Sequence, residues 1–398
     1  MNKTKPTVPA LVPRPRRLRR LQGSFRPQDR PAAVSADAAD HPAVRHKLQT
    51  LGLACAGACP EALAVTVGDP CRPLPDAPDR AQGYVLRIDA TGLVLRGHDL
   101  DGVFWGLVTL EQLLDQAATL PALRIDDWPQ IALRGHHDDI SRTKISTTED
   151  FKELIRRLSR YQINVYTPYM EDVLHLRSHP DVGEGRGKLQ PEEVAEIVAE
   201  AERHNVQIMP TYSLGGHYEN MLRLPRYREL GRKVFQFPSS LDPANPKVRT
   251  FLRQAIADVC ELFPAPWFHM GFDEMIGLTP DLFLKHANWC AKEVVKHGKT
   301  PVMWVDMIYN HYGYETIREL HPAVIPVSWG YNDVRSRIAP RNAKLAAQGR
   351  GLWGLAGYRC WVSFLPDFPA ARRHFGDWAR QADKHDMPAL FASIWGDN

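Results

Sequence analysis

Residues 268–278 read FHMGFDEMIGL and set two adjacent carboxylates, Asp273 and Glu274, behind an apolar β-like run with a glycine in it. No neighbouring basic residue offers them an obvious local partner. Such a pair either caps the next helix or does acid–base chemistry. Capping is the weaker reading, because Thr279-Pro280 already makes a better N-cap and first helical position. Neighbouring residues on a regular strand point to opposite faces, so both carboxylates can enter one site only where the strand is ending. Gly271 permits that bend.

Other residues able to do chemistry fall in similar places. They are His136, His137, Asp138 and Asp139 with Arg142 just beyond; Glu171-Asp172; Gly215-Gly216-His217-Tyr218-Glu219; Trp304 with Asp306; Trp329 with Tyr331; and Trp395 with Asp397. Carboxylates, one arginine, one histidine and several tryptophans suit a sugar: aromatic rings stack on the apolar face of a pyranose, while Asp and Arg take its hydroxyls. Each tryptophan alone is more often core than ligand platform. Three at strand ends shift that balance.

These residues form one site only if the segments carrying them converge. From residue 131 the sequence alternates strand and helix. IALRGHHDDI, INVYTPYM, VQIMPTYSL, WFHMGFDE, TPVMWVDM, AVIPVSWGY, RGLWGLAGY and PALFASIWGD read as eight strands. Between them lie amphipathic helices such as the one bearing Phe151, Leu154, Ile155, Leu158 and Tyr161. This is the rhythm of a (β/α)8 barrel, whose active sites form at the C-terminal ends of the strands. The polar residues above collect at those ends. Before the barrel, ALAVTVGD, GYVLRIDA and GLVLRGHD alternate as half-buried strands, with Ala90-Thr91-Gly92 as a hairpin turn and FWGLVTLEQLL as a covering helix. The expected organisation is α/β: a small N-terminal α/β domain over 1–125, PALRIDDWPQ (121–130) as the junction, and a TIM barrel over 126–398. The chain stops at Asn398, just after the eighth strand, so the last barrel helix has no sequence left to form it; truncation is the favoured reading.

Composition narrows the class. The 398 residues are 44% hydrophobic and 24% charged, ordinary for a globular protein, and the net charge of +4 is too weak to imply nucleic acid. Arg14, Arg16, Arg17, Arg19 and Arg20 are the one local excess, expected as a solvated N-terminal arm. No stretch approaches a membrane span, and the basic first residues lack the apolar core of a secretory signal. The six cysteines are scattered, without a CxxC pair, so a metal site at Cys55, Cys59 and Cys71 is not expected. Reduced thiols in a cytoplasmic protein fit best.

The ordered series of segments resembles glycoside hydrolase family 20, the β-N-acetylhexosaminidases. GVFWGLVTLEQLL followed by LPALRIDDWPQIALRG resembles the end of that family's N-terminal domain and its entry into the barrel. RGHHDDISR, YQINVYTPYMED and YSLGGHYENML resemble its first three barrel strands, and FHMGFDE its His-x-Gly-x-Asp-Glu signature. The resemblance implies a substrate-assisted mechanism, in which the substrate's acetamide is the nucleophile. Glu274 would be the general acid and then the base, and Asp273 would orient the acetamide and stabilise an oxazolinium-like intermediate. That division needs Glu274 protonated in a less polar spot and Asp273 ionised.

By the same resemblance Arg142 would bind ring hydroxyls and Asp139 would hold that region in order. His217 would support the acid/base with Asp172. Trp304, Trp329 and Trp395 would wall the acetamide pocket, and Asp397 would take outer hydroxyls. Tyr358, with Tyr331 as the alternative, would hydrogen-bond the acetamide oxygen. Two departures stand out: Phe272 occupies the place of a second glycine, which would narrow the pocket, and His136-His137 is more polar than the family's first strand. The implied activity is that of an exo-acting, retaining β-N-acetylhexosaminidase on oligosaccharides or glycoconjugates with terminal β-linked GlcNAc or GalNAc, without cofactor or metal. The family often dimerises, though no exposed apolar stripe in this sequence argues for a homodimer. Two rivals remain. One is a metal-dependent barrel hydrolase using His136, His137, Asp139, His217 and Asp273; against it, strand 1 lacks a His-x-His pair and its two adjacent histidines face opposite ways. The other is a non-catalytic sugar-binding barrel.

Overall fold

The computed structural model describes residues 9–27, 32–53, 55–59, 61–68, 75–142, 145–233, 238–331, 334–358 and 367–396. The chain divides into two compact units, the first comprising residues 1–132, 154–164 and 200–206, and the second the remainder.

The first unit contains a seven-stranded sheet of β1 (Arg17–Phe25), β2 (Ala32–Val34), β3 (Cys55–Ala58), β4 (Ala64–Gly68), β5 (Tyr84–Asp89), β6 (Gly92–Gly97) and β7 (Leu120–Asp127), in the order β1-β7-β5-β6-β4-β2-β3. Helices α1 (Ala36–Asp40), α2 (Pro42–Thr50) and α3 (Leu100–Leu114) accompany it. Asp99 caps α3 by accepting the Gly102 N–H at 2.7 Å, and Val103, Phe104, Leu107, Val108 and Leu110 of that helix are buried in the same core as Leu86, Leu95 and Ile125 of the sheet.

Two expectations change here. PALRIDDWPQ is not a bare junction: most of it is β7, paired antiparallel with both β1 and β5. The arginine-rich segment is not a free arm but edge strand β1. Its main chain pairs with β7 while Leu18 and Phe25 pack on the core and Arg17 and Arg19 stay exposed. Alternation with arginine on the solvent side hid the strand, since a basic edge also discourages pairing with other chains.

The second unit is the barrel. Its parallel strands are β8 (Leu133–Asp139), β9 (Val165–Tyr169), β10 (Gln207–Ile208), β13 (Trp267–His269), β14 (Thr300–Trp304), β15 (Ile325–Gly330), β16 (Trp353–Gly357) and β17 (Ala389–Ile394), ordered β10-β9-β8-β17-β16-β15-β14-β13. A short antiparallel hairpin, β11 (Gly231–Lys233) with β12 (Pro238–Leu241), follows β10. The curled sheet closes through Thr211, which bridges Tyr169 on one side and His269 on the other. All eight expected strands are present. Helices α4 (Thr148–Arg160), α5 (Pro191–Arg203), α6 (Glu219–Leu222), α7 (Pro246–Leu262), α8 (Pro280–Lys296), α9 (Ala339–Ala346) and α10 (Phe368–Lys384) lie between them in sequence, residues 154–160 of α4 and 200–203 of α5 being counted in the first unit. Between β14 and β15 the connection is a π-helical turn and a 3₁₀ turn instead of an α-helix.

Val165, Met209, Val302, Val327, Leu355 and Phe391 form part of one buried cluster inside the barrel. Gly135 is required there, because a Cβ would stand 1.9 Å from the Phe391 ring. With that interior filled, the polar side chains gather at the C-terminal strand ends. Among the described residues Cys59, Cys260 and Cys290 are free thiols, whereas Cys71 and Cys360 lie outside them.

Candidate active site

The FHMGFDE segment leaves regular strand geometry at His269. Gly271, Phe272 and Glu274 have φ of +70°, +77° and +53°, so two residues with side chains occupy the left-handed region. Such residues cost on the order of 1–3 kcal/mol each and persist only where surrounding contacts dictate them. Here those contacts are main-chain bonds on both sides: Met270 N–H to Val302 O at 2.7 Å, Trp304 N–H to Gly271 O at 3.0 Å and Leu214 N–H to Met270 O at 2.8 Å. Gly271 also packs tightly, since a Cβ would meet Ser213 Oγ at 2.7 Å. The bend brings Asp273 and Glu274 to the same mouth. Phe272 does not narrow it. Its ring is fully buried against Phe283 and His286, on the far side of the bend.

The two carboxylates meet different surroundings. The Asp273 side chain is 13% exposed and that of Glu274 58%. His217 faces both, its Nε2 standing 3.2 Å from Asp273 Oδ2 and 3.7 Å from Glu274 Oε2. Burial alone would raise the Asp273 pKa, but His217, with smaller help from its own main-chain N–H and the Arg142 charge, holds it below its usual value. Burial alone would lower the His217 imidazole, but Asp273 carries it up to about 9. The second Asp273 oxygen, Oδ1, is buried and has no hydrogen-bond partner among the described residues. An ionised acceptor in that state suits a substrate N–H. The expectation that Glu274 sits in the less polar spot is not met. The left-handed turn lifts it to the rim, whereas burial raises the neighbouring carboxyls Glu171, Asp172 and Asp306, the first and last to about 7.

Arg142 is held at the base of the site. Its Nε donates to Glu171 Oε1 at 3.1 Å, its main-chain N–H donates to Asp139 Oδ1 at 3.2 Å, and its Nη2 stands 3.3 Å from His217 Nδ1. Asp139 is fully buried and also accepts from the Ser141 hydroxyl and Gly396 N–H. The cavity encloses about 530 Å³. Trp304, Trp329, Tyr331 and Trp395 form its aromatic wall, and Arg142, Glu171, His217, Glu219, Asp273 and Glu274 its polar one. The Trp304 indole N–H is buried without a protein partner among the described residues.

Comparison with known proteins follows the same division of the chain. Residues 8–128 match the family model "Glycosyl hydrolase family 20, domain 2", and residues 132–336 match "Glycosyl hydrolase family 20, catalytic domain". The chain belongs to glycosyl hydrolase family 20. Among curated relatives of this family it is 26% identical over 282 residues to the β-N-acetylhexosaminidase of Cellulomonas fimi, covering 65% of this chain and 55% of that protein. It is 27% identical over 260 residues to the β-hexosaminidase of Porphyromonas gingivalis, covering 56% of this chain and 32% of the relative. The chain thus spans about half or less of the length of these two relatives. The crystal structure of a β-N-acetylhexosaminidase from Bacteroides fragilis superposes with a TM-score of 0.76 at 19% identity, covering 98% of this chain and 86% of that one, which supports the fold.

Set in this family's barrel, most residues given a role from sequence line one cavity, Asp139 lies buried beside it, and Asp172 and Tyr358 do not reach it. Asp172 does not join His217; it pairs with Arg186 at 3.1 Å. Glu171 takes the inner position because Tyr169, two residues earlier, already points inward against His217 and Trp395, and side chains on a strand repeat every second residue. Tyr358 faces the other way, against Phe375 of α10 and His136, since Trp353 and Leu355 set the inward parity of β16. Tyr331 is the tyrosine of the cavity. Asp397 lies outside the described residues. Glu171, Glu219 and Asp306 were among the strand-end residues named from sequence but were given no role, although the same parity from Tyr169 and from Trp304 marks the first and the last. As for metal, no group of three His, Cys, Asp or Glu side chains among the described residues stands where it could hold one ion. His137 and His136 do point to opposite sides, the first toward Trp304 and Trp395, the second toward Tyr166 and Tyr358.

Proposed function

We propose that this chain is an exo-acting β-N-acetylhexosaminidase that hydrolyses terminal β-linked N-acetylhexosamine with retention, using the substrate's acetamide as nucleophile. The observation that carries this reading is the asymmetry of the adjacent carboxylates inside an aromatic-walled cavity: Asp273 is buried and held ionised, with Oδ1 unpartnered, and Glu274 is exposed at the rim. Asp273 Oδ1 accepts the acetamide N–H, turning the carbonyl oxygen toward the anomeric carbon, and its charge stabilises the cationic ring that results. Tyr331, whose hydroxyl pKa burial raises far above the working range, donates to the carbonyl oxygen. Glu274 gives its proton to the departing glycosidic oxygen and takes one from the water that opens the ring. Its place at the rim is where an aglycone leaves. Arg142, fixed by Glu171 and Asp139, takes ring hydroxyls, and Trp304, Trp329 and Trp395 enclose the acetamide and pyranose faces.

The test is hydrolysis of p-nitrophenyl β-N-acetylglucosaminide beside the plain β-glucoside. Cleavage of the first alone ties activity to the acetamide. Equal cleavage of both would remove the acetamide's role, and folded protein inert toward both would leave a binding barrel.

A further inference from the structure

Asp306 has no part in the chemistry above, yet it joins two parts of the site. It lies two residues beyond Trp304, on the turn after β14, and is 3% exposed. Its two oxygens accept from two different segments. Oδ2 takes the main-chain N–H of Glu274 at 3.0 Å, and Oδ1 takes the indole N–H of Trp329 at 3.3 Å. The first bond secures the left-handed residue that carries the rim carboxylate. The second sets the plane of an indole lining the cavity. Behind Trp329, its carbonyl oxygen accepts from Tyr309 and Arg341, whose guanidinium stacks on the Tyr309 ring. The titratable and charged groups around Asp306 are Asp273, Arg341, Tyr309 and Tyr312.

We propose that Asp306 is a positioning residue for hydrolysis, one carboxylate locking the main chain of Glu274 and the Trp329 wall into a fixed relation. This rests on Glu274 being the acid/base. The chemistry requires a carboxylate in particular. Ionised, as it becomes when pH rises through about 7, it accepts both N–H groups, whereas an asparagine has one acceptor and one NH₂, so either way round a donor faces a donor. Loss of the Glu274 bond frees a strained residue to relax away from the glycosidic oxygen. That harms proton delivery more than sugar binding.

The experiment measures kcat and KM for a chitobiose-type disaccharide, whose leaving sugar needs a proton, and for the 2,4-dinitrophenyl N-acetylglucosaminide, whose leaving group does not. Asp306→Asn is expected to lower kcat on the disaccharide by about 100-fold, the scale of a positioned acid, and on the aryl glycoside by no more than about threefold. Trp329→Phe, which removes the indole N–H and shrinks the wall but leaves the Asp306–Glu274 bond in place, is expected to raise KM for both substrates and leave the ratio of their kcat values unchanged. Should Asp306→Asn fail to fold, judged by its thermal melt, Asp306→Glu displaces the same two acceptors and is expected to show the same split. Equal losses on the two substrates, or no loss, would overturn the role while leaving the proposed function standing. A wild-type chain inert on both substrates would overturn the function and the role together.

Discussion

Asp273 and Glu274 are neighbours in sequence, but their surroundings give them different chemistry. Asp273 keeps its charge because His217 lies 3.2 Å away, while Glu274 reaches the rim with more than half its side chain in water. That division predicts distinct failures. Glu274→Gln should cut hydrolysis of substrates with poor leaving groups by about 10²–10⁴-fold and spare those that leave without a proton. Asp273→Asn should damage both, because it removes the charge that orients and stabilises the acetamide. Steady-state rates on a matched substrate pair check this; equal, mild losses in the two variants would contradict the assignment. At this scale the sequence was legible where a motif fixed the residue, as with Asp273, Glu274, His217 and Arg142. It misled where two candidates of the same kind competed. Glu171 over Asp172 and Tyr331 over Tyr358 were decided by strand parity, which becomes visible once the inward-facing residue of each strand is known.

The bend after β13 shows how an element makes the site. Gly271 supplies one left-handed residue at no steric cost, but Phe272 and Glu274 adopt the same region under tertiary constraint. Gly271→Ala would add a Cβ 2.7 Å from Ser213 Oγ at a φ of +70°. It should cost about 1–3 kcal/mol of stability and reduce kcat, measured by urea unfolding beside activity. The eight barrel strands were readable because alternation and apolar runs mark them, and the helices because their buried faces repeat. The left-handed run was not, since neither Phe nor Glu signals it and only the bonds to Asp306 and the neighbouring strands impose it. Strand β1 was missed for a different reason: a surface edge strand rich in arginine reads like a solvated arm.

Across the whole molecule, the buried titratable groups make stability depend on pH. Glu171 and Asp306 hold their protons up to about pH 7, well above the ordinary carboxylate range. A folded state that binds those protons more tightly is stabilised fully below that ordinary range, and the contribution is lost as pH rises through 7. His217, raised to about 9, adds stability that is complete below the ordinary imidazole value and lost as pH climbs through 9. Asp273, held below its usual value, contributes above the ordinary carboxylate range and loses that contribution as pH falls. Burial holds His137, His204, His269 and His286 below the ordinary imidazole value, and what they contribute above that value is lost as pH falls. The melting temperature should therefore peak close to neutral pH, fall in acid and decline toward pH 8, and Asp306→Asn should flatten part of that alkaline decline. A pH series of thermal melts checks it.

The central claim, that the acetamide of the substrate does the work of an enzyme nucleophile, has a more direct test. Rates are measured for aryl glycosides whose N-acetyl group carries none, one, two or three fluorines. Fluorine withdraws electrons from the carbonyl oxygen, so the account predicts a steep fall in kcat along the series while KM changes little. Rates independent of fluorination would contradict it and return the nucleophile to the protein or to water.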